Sequence, residues 1–573
     1  MDMVSLTIDG RKAIVPAGST IIEAAAAVGI KIPALCYHPE LKPEGACRVC
    51  VVEIKGGRGP VASCVFPVAE GMEVYTNTAS IRDARKTVVE LLLANHPQDC
   101  LTCQRSTNCE LQAIAADLGV REIPFEGEKK HCAIDDNNPS LVRDQNKCIL
   151  CGRCIRACNE RQEMHVYSFI NRGFNTMVSP AFDQGIDKVA CTYCGQCASV
   201  CPTAAIVERD NTEDVFRAIN DPTKHVVVQT APAVRVALGE DLGQGVGGIV
   251  TGKMVAALRR LGFDGVFDTD FTADLTIMEE GTEFLGRLKN GGTLPMITSC
   301  SPGWVNFIEL QYPDLLGHLS TCKSPQQMFG ALAKTFYAKQ KGIDAKDIVS
   351  ISVMPCTAKK AEAVRPEMRS SGYQDVDYVI TTRELARMIK SAGVDFSVIP
   401  EEDYDAPLGL STGAAVIFGA TGGVMEAALR TVYEVVTGET LACLDFKMVR
   451  GLEGIKEATV DVGGIAVKVA VAHTLANAKI LMDKIRAGTA DYHFIEIMAC
   501  PGGCIGGGGQ PFVNDKKTRQ ERIDAIYECD SCMPMRKSHE NPAVKALYEQ
   551  YLGEPNGHKS HELLHTHYNA QKR

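Results

Sequence analysis

Two runs of cysteines constrain this chain more than any other feature. Cys148, Cys151, Cys154 and Cys158 form one run, and Cys191, Cys194, Cys197 and Cys201 form a second, closed by Pro202. Sixteen further cysteines bring the total to 24 in 573 residues. The amino terminus, MDMVSLTIDGRKAIVPAG, has no basic start leading into an apolar core, and no apolar run approaches the roughly 18 residues of a membrane span. A cytoplasmic chain is expected, and in a reducing compartment thiols stay free, so the spacing is to be explained by metal rather than by disulfides. A net charge of −10, with no long basic run, argues against nucleic acid or an anionic membrane as partner. The length allows about four domains.

The paired runs resemble those of two-cluster bacterial ferredoxins, in which the fourth cysteine of each run ligates the other cluster. That resemblance implies one 4Fe-4S cluster on Cys148, Cys151, Cys154 and Cys201 and another on Cys191, Cys194, Cys197 and Cys158, within residues 140–209. Residues 1–78 open with an alternating run, a turn at Asp9-Gly10 and a second run, which reads as a β-hairpin, followed by a helix over about 20–28. Cys36, Cys47, Cys50 and Cys64 then close one set of four. Residues 79–118 are helical in pattern and run into His96, Cys100, Cys103 and Cys109. Three thiolates and one imidazole suit either a 4Fe-4S cluster or structural zinc. Cys132 has no partner in sequence and reads as structural.

From about residue 210 short β-branched runs such as HVVVQTAP, DIVSISVMPC and YHFIEIMAC alternate with helical stretches. That alternation predicts a parallel α/β domain over 210–520, with ligands beyond the carboxyl ends of the strands, where Cys356 and Cys500 fall. Three segments stand out: ITSCSPGW with Cys300, MPCTAKKAE with Cys356, and EIMACPGGCIGGGGQP with Cys500 and Cys504. In the last, six glycines surround two thiols and leave little side-chain bulk against a cluster.

Together these segments resemble the signatures of the FeFe-hydrogenases, and the resemblance extends over nearly the whole chain. It implies an H-cluster, a 4Fe-4S cubane joined through a cysteine to a two-iron centre with CO, CN and an azadithiolate bridge whose amine serves as base. It also implies a β-grasp 2Fe-2S module on Cys36, Cys47, Cys50 and Cys64, and a 4Fe-4S module on His96, Cys100, Cys103 and Cys109. Cys356, Cys500 and Cys504 match three cubane ligands, with Cys504 bridging. Lys359 matches the donor to a cyanide, and Ala231, Pro232, Gln326, Met354 and Met498 match pocket-lining positions. A proton relay is implied through Cys300, Glu280, Ser320, Glu283 and Arg287; Glu280, Glu283 and Arg287 fall on one face of a predicted helix.

Two positions depart from the family pattern. Ser301 stands where a second cysteine usually ligates the cubane, leaving Cys300, Ser301 and Cys322 as candidates for the fourth ligand. Ala233 stands where a serine is common. Residues 521–573 resemble the small-subunit portion of the family. Their histidines His558, His561, His565 and His567 read as a solvated surface segment. Cys529 and Cys532 form an isolated pair with no assigned role.

The expected reaction is the reversible reduction of two protons to H2. Hydrogen at pH 7 lies roughly 410 mV below its standard value, close to the roughly −400 mV of plant-type ferredoxins, so direction depends on the partner. Ferredoxin is the first expected partner, and an NAD(P)-reactive flavoprotein subunit in an electron-bifurcating or NAD(P)-linked complex the second. Maturation enzymes are expected to install the two-iron unit. From other classes, a hydrogen sensor is opposed by the complete relay and a cluster-assembly factor by the amino-terminal modules.

Overall fold

Asp9 and Gly10 both take positive φ, 45° and 79°, and turn Met3–Ile8 back onto Arg11–Pro16 with Ile8 opposite Arg11. The protein is described by a computed structural model over residues 2–571. The hairpin belongs to a five-stranded sheet in the order Arg11–Pro16, Met3–Ile8, Glu73–Tyr75, Val51–Ile54, Val61–Ala62. Helix Ile21–Ala27 packs its buried isoleucines and alanines into the core under this sheet. Its start is set by Thr20, whose N–H donates to Glu23 Oε2 at 2.8 Å, one half of a capping box. Helix Ala79–Ala94 follows, begun by Thr78, and ends at Asn95 just before His96.

Arginines fasten the small modules to one another. Arg156 Nη2 donates to the carbonyls of Cys36 (2.7 Å) and Cys151 (3.1 Å), and Arg153 Nη2 to that of Tyr37 (2.8 Å). Arg105 Nη1 donates to Cys201 O at 3.2 Å, and Glu110 N–H to Pro202 O at 3.0 Å. Cysteine-bearing loops leave carbonyls outside any helix or strand ladder, and a guanidinium fork satisfies more than one of them at once.

Beyond residue 210 the chain builds two four-stranded sheets. Gly265–Asp268, His225–Thr230, Ile348–Met354 and Tyr378–Thr381 are parallel throughout. Such strands, covered on both faces, read as unbroken apolar runs. The second sheet has the order Met296–Ile297, Phe494–Met498, Ile465–His473, Ile455–Val462. Its edge pair is antiparallel, because Gly463 and Gly464, at φ 63° and 84°, join the two strands in a two-residue turn that a parallel pair cannot use.

The carboxyl-terminal residues are helical over Lys516–Cys532, Pro542–Leu547 and His558–Leu564. They correct the reading of the tail as solvated. Leu547, Leu552, Leu563 and Leu564 share a core with Phe271, Met328 and Phe329. Leu564 O accepts from Lys323 N–H, and Thr566 N–H donates to Thr321 O, both at 2.8 Å, so residues 564–566 lie along residues 321–323. His558, His561 and His567 are exposed; His565 is buried, because the two leucines before it draw the chain inward. Leu564→Ala should cost about 2–5 kcal/mol, read as a lower unfolding temperature; unchanged melting would exclude the tail from the catalytic core.

Candidate active site

Four loops converge over the carboxyl ends of strands from both sheets. His225–Thr230 runs into Ala231-Pro232, Ile348–Met354 into Pro355-Cys356, Met296–Ile297 into Thr298–Ser301, and Phe494–Met498 into Ala499-Cys500. Parallel strands send these ends the same way, so residues remote in sequence gather in one crevice. Cys300, Ser301, Cys356, Cys500 and Cys504 line a cavity with about 780 Å³ of space unfilled by protein atoms, and Cys194 reaches the same wall. Ala231, Pro232, Gln326, Met354, Lys359 and Met498 line it as well.

The groups within it divide into two ends. Cys500 and Cys504 both feel the charge of Cys356; burial pushes Cys500 far above the usual thiol range and Cys504 up to about 12. Cys300 is also raised, by burial first and then by Glu280, with Lys359 opposing. It therefore lies toward the acidic helix. Ser301 precedes helix Pro302–Gln311 without capping it; its Oγ accepts from Ala499 N–H at 3.3 Å, next to Cys500. Cys322 is carried away from the cavity into contact with Glu283 and His565, which removes it from the candidates for a ligand there. Lys359 Nζ donates to Cys300 O (3.2 Å) and to Glu362 Oε2 (2.9 Å). Glu362 also accepts from Gln326 Nε2 and Ser324 Oγ. Glu362 was not singled out from sequence, although its place three residues after Lys359 on a helix was a visible signal.

Helix Thr269–Asn290 aligns Glu280, Glu283 and Arg287 on one face. Arg287 Nη2 donates to Glu283 Oε1 at 2.6 Å, and Ser320 Oγ to Glu283 Oε2 at 2.8 Å. Ser320 also faces Glu280. Burial, reinforced by the charge of Glu283, pushes Glu280 up to about 8. The row Cys300, Glu280, Ser320, Glu283, Arg287 thus leads from a half-buried thiol on the cavity wall, through the buried Glu280 and Ser320, to a half-buried guanidinium.

The other thiols also fall into groups. The free thiol of Cys36 is in hydrogen-bonding contact with those of Cys47 and Cys64, and that of Cys50 with Cys64. Cys148, Cys151, Cys154 and Cys201 line one small cavity, and Cys158, Cys191, Cys194 and Cys197 a second. Cys109 feels the charge of Cys103. Burial lowers the His96 pKa, and its Nδ1 is buried with no hydrogen-bond partner among the described residues. Cys132 lies in a loop where its N–H donates to Asn146 Oδ1. Cys529 and Cys532 sit one turn apart on helix Lys516–Cys532, Cys532 exposed.

Comparison with known proteins decides the family. Residues 224–508 match the C-terminal domain of the iron-only hydrogenase large subunit, and 516–571 the iron hydrogenase small subunit. The chain is 54% identical to the NADP-reducing hydrogenase subunit HndD of Solidesulfovibrio fructosivorans over the full length of both. It is 41% identical to iron hydrogenase 1 of Clostridium pasteurianum, covering 99% of this chain and 100% of that one. The chain belongs to the FeFe-hydrogenases. A solved FeFe-hydrogenase structure from Chlamydomonas reinhardtii is 46% identical, with a TM-score of 0.57 over 63% of this chain and 99% of that one. Residues 1–79 match a 2Fe-2S cluster binding domain, 85–124 the NADH-ubiquinone oxidoreductase-G iron-sulfur binding region, and 147–205 a 4Fe-4S dicluster domain. The enzyme is thus an oxidoreductase of 2Fe-2S, 4Fe-4S and H-cluster cofactors.

The cavity of this hydrogenase fits an H-cluster. Its buried thiols are costly to ionise unless a metal takes the charge, and Gln326 Oε1 is buried with no hydrogen-bond partner among the described residues. The glycines serve a purpose other than clearance for the cluster. A Cβ on Gly507 would lie 2.1 Å from Pro355 O, and one on Gly508 2.5 Å from Cys194 O. The loop therefore packs backbone on backbone against both the Cys356 segment and the Cys194 loop.

Gly508→Ala should separate the Cys194 loop from the cavity wall and lower the iron retained per chain; full retention would show the contact to be dispensable. Glu280→Gln should lower H2 turnover by about 10²–10⁴-fold, the usual contribution of a positioned proton carrier. Because its pKa is raised, Glu280 should hold its proton at pH 7, and an infrared carboxyl C=O band absent from Glu280→Gln should fade as pH rises through about 8. A spectrum without that band would contradict a protonated Glu280.

Proposed function

We propose that this hydrogenase is the hydrogen-activating subunit of an NAD(P)-linked assembly, interconverting two protons and two electrons with H2. The observation that carries the proposal is the full-length likeness to a subunit of an NADP-reducing hydrogenase. The glycine-rich loop after strand Phe494–Met498 supports a separate nucleotide-binding subunit: carbonyls of Pro501, Pro355 and Cys194 press against its glycines, in the space a pyrophosphate would need. A flavoprotein subunit is the fitting partner, with ferredoxin as the second reading. We place the protein in the cytoplasm, with maturation enzymes to install its two-iron unit.

In this reading Cys36, Cys47, Cys50 and Cys64 hold the 2Fe-2S cluster, and His96, Cys100, Cys103 and Cys109 a 4Fe-4S cluster. The two small cavities hold the others, Cys148, Cys151, Cys154 and Cys201 on one, Cys158, Cys191, Cys194 and Cys197 on the next. Arg156, between Cys36 O and Cys151 O, and the contacts at Cys201 and Pro202 favour two electron inputs that merge at the first of these. Cys194, on the cavity wall, is the final step.

Cys356, Cys500 and Cys504 hold the cubane, and Ser301, beside Cys500, supplies the fourth ligand through oxygen. When bound, the two-iron centre supplies the site at which hydrogen is formed and split. Cys300 holds a proton at Sγ and Glu280 one at its carboxyl; Ser320 passes it to Glu283, whose charge Arg287 stabilises at the outer end. Lys359, steadied by Glu362, presents an ammonium to an anionic ligand.

The test is H2 evolution by the matured chain alone with reduced methyl viologen, NADPH or reduced ferredoxin. Turnover with viologen and none with NADPH until a flavoprotein subunit is added is the expected result; NADPH turnover by the chain alone would refute it, and ferredoxin rates equal to viologen rates would favour the second reading. Ser301→Cys should raise the reduction potential of the cubane, since a thiolate is softer than an alkoxide and favours ferrous iron. An unchanged potential in spectroelectrochemistry would remove Ser301 as a ligand.

A further inference from the structure

The relay has a neighbour that the hydrogenase reaction does not use. Cys322 Sγ lies 3.9 Å from Glu283 Oε2 and 4.0 Å from His565 Nδ1, and a ligand atom from each of the three residues falls within 4.8 Å of the others. Cys322 is fully buried and His565 nearly so. Thiolate, imidazole and carboxylate together are a donor set that suits Zn²⁺.

Three features fit a metal better than an incidental cluster. First, His565 Nε2 lies 3.1 Å from Glu279 Oε2. A carboxylate only accepts, so in the neutral ring Nε2 carries the hydrogen and the Nδ1 lone pair faces Cys322 and Glu283; metal-binding histidines are oriented in this way. Second, Glu279 is itself held by Tyr548 Oη (2.5 Å) and Asn556 N–H (2.7 Å), so the orienting group is rigid. Third, the pairing of residues 564–566 with 321–323 fixes the backbone on both sides of the site. Thr321 Oγ1, 2.8 Å from Nδ1 and 3.3 Å from Glu283 Oε2, marks the place for a fourth oxygen, its own or that of a water. In a tetrahedral zinc site with Zn–S about 2.3 Å and Zn–N or Zn–O about 2.0 Å, the sulfur lies about 3.5 Å from its neighbours. The two separations from sulfur, 3.9 and 4.0 Å, need to shorten by only about half an ångström to match.

We propose that Cys322, His565 and Glu283 form a Zn²⁺ site between the carboxyl-terminal segment and the acidic helix, and that the metal blocks proton passage by occupying Glu283. The binding half stands on these contacts alone; the blocking half rests on the relay reading above.

The experiment adds one equivalent of zinc sulfate to fully reconstituted, matured enzyme previously freed of loose metal, followed by desalting. Zinc K-edge X-ray absorption should show one sulfur at about 2.3 Å and nitrogen or oxygen at about 2.0 Å. H2 evolution with methyl viologen should fall by at least about tenfold, as for loss of a proton carrier, and recover with EDTA. Cys322→Ser should lose the sulfur shell, and His565→Gln should lose retained zinc, while both variants keep the CO and CN infrared bands of a loaded site and become insensitive to zinc. Zinc retained without sulfur, or with the same spectrum in both variants, would overturn the site. Zinc bound with the expected shell but without effect on turnover would overturn the block and count against Glu283 as a relay member, without touching the binding geometry.

Discussion

The close backbone contact at Gly506 to Gly509 is the interaction on which the rest depends. The loop after the last strand lies against Pro355 and against Cys194-Gly195, and Gly195 in turn is packed against Thr357 and Gly508. Thr357 Oγ1 donates to Tyr193 O at 2.7 Å, and Gln196 Nε2 to Gly506 O at 3.1 Å. A side chain at Gly507, Gly508 or Gly195 would force the three segments apart. The same contact shapes one wall of the active cavity and places the last accessory thiol set on it. The Cys194 loop and the cavity are brought together because no side chain stands between the two loops.

Electrostatics inside the cavity are arranged by burial. Away from water a carboxyl or thiol resists ionisation, so Cys300 and Glu280 are held protonated, whereas Glu283, bound to Arg287 and Ser320, is the member of the row with its charge compensated. The two carboxyls of the row thus differ in their partners: Glu280 is fully buried, whereas Glu283 is ion-paired with Arg287. Lys359 belongs to the same logic. Its side chain is buried, and Glu362, 2.9 Å away, holds its Nζ in place.

The two amino-terminal modules are tied to the third by arginine to carbonyl contacts, whereas the third shares a large apolar core with the catalytic domain, Met164, Tyr167 and Ile206 packing with Trp304, Phe307 and Ile497. Arg105, Arg153 and Arg156 are buried, and each ties a cysteine-bearing loop of one module to that of another. The first module keeps a core of its own, but its Leu35 and Val49 also pack with Val89, Leu111 and Ile114 of the second, and its Leu41 with Ala157 and Val200 of the third.

The cysteine runs, the hairpin at Asp9-Gly10, the strand and helix alternation after residue 210 and the shared face of Glu280, Glu283 and Arg287 were legible in the sequence, because each depends on spacing of a few residues. Glu362 was legible in principle at three residues from Lys359. The antiparallel edge was not recognised, although Gly463-Gly464 signalled it. What spacing could not carry is where distant segments meet. That Ser301 stands by Cys500, that Cys322 turns away from the cavity, and that His565 leaves a polar tail to sit under Glu279 are results of packing: two leucines and a backbone pairing some 240 residues apart place it there. By itself the sequence determined the donor atoms and the local elements that carry them, since these follow from covalent order. Which donors share a cavity was decided only by the tertiary structure, since burial of apolar side chains elsewhere sets the positions of the backbones that bear them.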